Sequence, residues 1–174
     1  MKILKKVEFD EVMRLFRLEH DVNREHEANT NRDAERLLMI ANTELGEWSK
    51  VLLSRDDILQ VILPMHECHE GINTNITPKS GLTVKQAVEK LSSIKDSYAK
   101  NYPVCWSKIL TLERFTTLFL STKPTSHEEY VEIDKEGLVH LDGWHRMVGW
   151  ELNGLLTNDT QLETYVAGNL ESYV

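Results

Sequence analysis

Between Leu138 and Trp150 the sequence reads as a strand, a tight Asp142-Gly143 turn and a helix that opens with His145 and Arg146. A strand that runs straight into a helix needs both a sheet and a helical layer around it, which restricts the chain to a mixed architecture. The flanking segments agree. Upstream, Phe115 to Ser121 is rich in β-formers and Lys123-Pro124 bounds it; Tyr130 to Ile133 and Leu138 to Leu141 flank Asp134-Lys135-Glu136-Gly137, a hairpin-like turn. Downstream, Val148 and Leu152 share a helix face, Gly154 stops the helix, and Gln161 to Ala167 is a last strand.

The N-terminal half reads as helical. Asp10 can cap a helix carrying Val12, Met13 and Phe16, and Asn31 one carrying Ala34, Leu37, Leu38 and Ala41 up to Gly46. Asp21 to Arg32 reads as a loop or exposed helix, and Trp48 to Leu53 as a short strand. Ser54 with Asp57 forms a capping-box pattern before Ile58, Leu59, Val61 and Ile62, a helix that Pro64 should break and Gly71 end. After a loop from Ile72 to Gly81, Thr83 and Gln86 form another capping box. Val84, Val88, Leu91, Ile94 and Tyr98 then follow at helical steps until Asn101-Tyr102-Pro103. The expected fold is α+β: one domain over residues 1–174, with a small mixed sheet from the C-terminal third packed with helices of the N-terminal half.

The net charge of −8 argues against nucleic acid as a main partner, because phosphate-backbone binding needs a basic field. No apolar run approaches the roughly 18 residues that a membrane span needs. The start, Met1 to Lys6, lacks the apolar core of a signal peptide, so the expected place is the cytoplasm. The two cysteines, Cys68 and Cys105, are too few for a disulfide scaffold and read as reduced, buried thiols.

The chemistry concentrates at His140-Leu141-Asp142-Gly143-Trp144-His145-Arg146. A helix start leaves its first N–H groups without intrahelical partners. The amides of Trp144, His145 and Arg146 would point at an anion there, helped by the helix dipole and by a glycine that permits close approach. His145 and Arg146 add donors suited to phosphate. Asp142 could cap the helix, hold a divalent cation or accept a proton from a substrate hydroxyl, and Arg146 could merely pair with a carboxylate. Two other clusters carry weaker signals. His66 and His69, in His66-Glu67-Cys68-His69-Glu70, stand one helical turn apart, but two histidines leave a four-coordinate zinc half filled, and the pair reads as a solvated helix end. His140 and Asp142, two apart on a strand, would share a face and could join a distant histidine in an iron triad.

Leu141-Asp142-Gly143-Trp144-His145-Arg146-Met147-Val148-Gly149-Trp150 resembles the DG-x-HR-xx-A signature of the ParB/sulfiredoxin-like superfamily, and is most similar to its free-serine kinases, whose run reads DGHHR. The resemblance covers residues 82–174; residues 1–80 match no pattern of it. It implies a ParB/sulfiredoxin-like core with a nucleotide phosphate at Gly143, Trp144, His145 and Arg146. Trp144 stands where sulfiredoxins carry their cysteine, which speaks against sulfinic-acid reduction. The second arginine of the GxRR run of CTP-switch members is missing. His127-Glu128-Glu129 is similar to the kinases' catalytic run, although it lies much nearer the motif than theirs does, which makes Glu128 the candidate assisting carboxylate.

These readings converge on a phosphotransferase that takes a small hydroxylated metabolite, such as a hydroxy amino acid, with ATP or ADP and Mg²⁺. Asp142 would bind Mg²⁺ or act as base, His145 and Glu128 would assist, and Gly143 to Arg146 would hold phosphate. The alternatives are a non-catalytic nucleotide-binding module and a metal-dependent enzyme using His140 and Asp142.

Overall fold

A computed structural model describes residues 1–20, 30–66 and 76–173. The expectations for the loop after Asp21, for Gly71 and for Cys68 and His69 lie outside the described residues. Among those described, seven strands form one mixed sheet in the order β1-β2-β7-β5-β6-β3-β4. The strands are β1 (Lys2–Val7), β2 (Trp48–Ser54), β3 (Ile62–Leu63), β4 (Leu82–Thr83), β5 (Leu118–Ser121), β6 (Val139–Asp142) and β7 (Gln161–Ala167). Two pairs are parallel, β5 with β7 and β3 with β6; the others are antiparallel. The architecture is α+β, as expected, but the sheet is not confined to the C-terminal third, since β1 to β4 come from the first half. Lys2–Val7 gives little sequence signal because this edge strand is exposed on both faces and so lacks the apolar alternation of a half-buried strand.

Alternation along the central strands divides the interior in two. Leu118, Leu120, Leu162 and Val166 enter one core; Phe119, Tyr165 and Ala167 enter the other. The first core lies under α3 (Arg55–Leu59), α4 (Val84–Ser93), α5 (Lys95–Asn101), α6 (Pro103–Leu110) and α7 (Trp144–Leu152). The second lies under α1 (Phe9–Glu19) and α2 (Thr30–Leu45), which supply Val12, Phe16, Leu37 and Leu38. No described helix is long and apolar enough to cross a membrane.

Both capping boxes form: Ser54 with Asp57 opens α3, and Thr83 with Gln86 opens α4. Other boundaries move. The helix expected to run from Val84 to Tyr98 breaks at Ile94 into α4 and α5, and Pro103, expected to end a helix, begins α6 as its first residue, where its missing N–H costs nothing. Glu8, not Asp10, precedes α1 and makes no side-chain cap. Tyr130 to Ile133 is not a strand: Glu128–Tyr130 is a 3₁₀ turn, and the buried Tyr130 anchors it in the second core.

Gly149 sets the spacing between α7 and α6. A Cβ there would lie 2.7 Å from the Ile109 carbonyl oxygen and collide with Leu112, so only a bare backbone allows this approach. Gly149→Ala should destabilise by about 2 kcal/mol, because overpacking against backbone outweighs the roughly 1 kcal/mol gained in helix propensity. Urea unfolding measures it; an unchanged or raised midpoint would contradict this packing.

Candidate functional site

The β6–α7 junction is built on an irregular strand. Leu120 pairs with His140 but its neighbour Phe119 pairs with Asp142, so one step on β5 spans two on β6. This bulge at Leu141 re-aims the strand end. His140 stands opposite Leu120 of the first core, whereas Asp142 stands opposite Phe119 of the second. The expectation that both side chains share a strand face is thereby corrected, and with it goes the strand-based pairing of an iron triad.

Gly143 follows with φ +116, a left-handed value that suits glycine, and a Cβ there would run into Leu118. It is the N-cap of α7 and supplies no side-chain hydrogen bond. Asp142 does not cap the helix either. Its Oδ2 accepts from His20 Nε2 at 3.1 Å and from Arg146 Nη2. His20, the residue after α1, is stacked on Phe16 and directs Nδ1 at the Phe16 carbonyl oxygen, 2.8 Å away. Arg146 spends Nη1 on Thr116 Oγ1 (3.0 Å) and the Thr117 carbonyl (2.5 Å). The guanidinium expected to grip phosphate is thus committed to Asp142 and the approach to β5.

Burial alone would raise the Asp142 carboxyl; the Arg146 charge and the His20 contact outweigh it and hold the group well below the usual carboxylate range. Every contact recorded for this carboxylate uses Oδ2, which leaves Oδ1 without a hydrogen bond among the described residues. Tyr130, with its hydroxyl buried and unpartnered, is pushed up by burial and by the charges of Glu129 and Asp142. Glu128 is exposed on the 3₁₀ turn, and no hydrogen bond or ion pair links it to Asp142. His140 is buried with Nδ1 unpartnered, and burial pushes it down to about 4.

On the other side of the α7 start, three residues distant in sequence meet. Cys105, buried on α6, has its Sγ 3.1 Å from His145 Nε2 and 3.4 Å from His66 Nε2. Tyr98 donates its hydroxyl to the same sulfur at 3.0 Å. The ligand atoms of His66, Cys105 and His145 all lie within 4.8 Å of one another. The His66 ring stacks on Trp144, with centroids 4.1 Å apart and 16° between planes. Neither His20 at Asp142 nor Cys105 at the histidines carried a local sequence signal, since each meets its partner only through tertiary packing.

The buried neutral His140 gives a pH signature. An unfolded histidine titrates near 6.5. Between 6.5 and about 4 the unfolded chain therefore binds a proton that the folded chain refuses, and stability falls as pH drops through that window. Between pH 7 and 4.5 the protein should lose roughly 2–3 kcal/mol more than a His140→Leu variant does. Denaturant titrations at the two pH values measure this; equal losses would mean that His140 is not buried neutral.

No curated protein and no solved structure matches the chain. A family model matches it over residues 1–174, and the chain belongs to that family, the family of unknown function DUF6309.

Proposed function

We propose that the protein transfers a phosphoryl group between a nucleotide and the hydroxyl of a small metabolite at the β6–α7 junction. One observation carries this reading: an ionised carboxylate, clamped through a single oxygen, sits beside a helix start that no side chain caps. Phosphoryl transfer asks a protein mainly for positioning and charge stabilisation. The first-turn amides of α7, with the dipole behind them, are donors for phosphate oxygens. Asp142 Oδ1 would accept a hydrogen bond from a substrate hydroxyl, while His20 and Arg146 fix the carboxylate through Oδ2. Its depressed pKa suits an orienting acceptor better than a proton store, because a base works best with a pKa near the operating pH.

The roles differ from those the resemblance implies. Phosphate binding falls to the amides of Trp144, His145 and Arg146 rather than to the Arg146 guanidinium. Mg²⁺ does not fit at Asp142, since Oδ2 already faces two donors and a guanidinium charge lies against it. No step is assigned to that ion or to Glu128.

The test follows phosphate transfer from ATP or ADP to hydroxy amino acids and related metabolites, with nucleotide affinity measured alongside. Asp142→Asn should lower the melting temperature, because Arg146 would lose its carboxylate, and should cut transfer about 10- to 100-fold, the worth of one hydrogen bond to a charged acceptor. Nucleotide affinity should stay within a few-fold, since the amides remain. Nucleotide binding without turnover would reduce the protein to a binding module; no nucleotide affinity in the folded protein would overturn the reading altogether.

A further inference from the structure

The donors around Cys105 assemble a second, separate chemistry, and the topology explains how. β3 and β6 are parallel neighbours, so their C-terminal ends lie at the same end of the sheet. His66 follows the end of β3, and His145 follows the end of β6 as the second residue of α7. The C-terminal ends of parallel strands are where open sheets gather their ligands. α6 packs against α7, a contact that Gly149 permits, and brings Cys105, the third residue of α6, to both imidazoles.

The distances fit an ion. Zinc bonds of about 2.3 Å to sulfur and 2.0–2.1 Å to nitrogen, at tetrahedral angles, put sulfur and nitrogen about 3.6 Å apart. The sulfur here lies 3.1 and 3.4 Å from the two nitrogens, so an ion at the centre would lengthen the two sulfur–nitrogen separations by about half an ångström at most. A hydrogen-bonded thiol, giving its proton to one imidazole and accepting from the Nε2–H of the other, is the competing arrangement, and it gives no cobalt charge-transfer band. A nucleophilic role is disfavoured because Cys105 is fully buried. The supporting shell of a metal centre is also present: Tyr98 donates to the sulfur, and the Trp144 stack fixes the plane of His66.

We propose that His66, Cys105 and His145 are ligands of one divalent d-block ion of the zinc class. Thiolate with imidazole selects zinc-like ions over Mg²⁺. This site does not rest on the phosphotransfer reading, and its test uses no nucleotide.

The test is cobalt titration of chelator-treated full-length protein, read by absorption, with zinc content of the protein as purified. One equivalent of Co²⁺ should produce a thiolate-to-cobalt charge-transfer band and the visible bands of tetrahedral coordination, and zinc should displace it. The chain has two cysteines, so Cys68→Ser, which leaves the described cluster untouched, assigns the band. It should persist in Cys68→Ser and vanish in Cys105→Ser. His66→Ala should weaken binding by more than the ~100-fold that loss of a supporting partner can cost, and Tyr98→Phe by about 10- to 100-fold. No charge-transfer band in the unmodified protein, or a band lost in Cys68→Ser, would overturn the assignment without any core variant having to fold.

Discussion

The Asp142 carboxylate holds the junction together because it cannot be buried alone. A buried carboxylate is costly unless charge and hydrogen bonds answer it. Arg146 and His20 both reach the same oxygen, and each brings an element with it. His20 ties the end of α1 to the sheet, and Arg146 ties α7 to Thr116 and Thr117 just before β5. One charge cluster thus joins a helix from each layer to the strands between them. The bulge at Leu141 makes this possible by turning Asp142 toward the α1 side while His140 keeps to the other.

This arrangement changes how the motif works. A helix start capped by its own aspartate would have little left to offer a ligand. Here the aspartate is engaged by His20 and Arg146, Gly143 gives no side chain, and no side chain caps the first turn. Arg146, the residue that most resembles a phosphate binder in sequence, serves as a structural clamp. In the proposed reading the ligand-facing chemistry shifts to backbone amides and to Asp142 Oδ1, while the His145 imidazole turns its Nε2 to Cys105.

The parts of this that a sequence displays are local. The Ser54 and Thr83 capping boxes, the Gln161–Ala167 strand and the strand–Gly143–helix turn all follow from spacing within a few residues, and all are present. What was hidden depends on pairing across the chain. β1 is exposed on both faces and shows no alternation. Tyr130 looked like a strand residue because burial in a core and burial in a sheet demand the same side chain. The Leu141 bulge, which decides the face of Asp142, has no residue signature. His66 looked like half of a pair with His69 because a sequence shows only near neighbours, while Cys105 and His145 reach it by helix packing.

The most direct measurement is a crystal structure of the protein with a non-hydrolysable ATP analogue. The account predicts terminal phosphate oxygens within hydrogen-bond distance of the Trp144, His145 and Arg146 amides, with Arg146 still paired to Asp142 and Oδ1 turned to the space beside the phosphate. A nucleotide bound elsewhere, or an Arg146 guanidinium that leaves Asp142 to grip the phosphate, would contradict it.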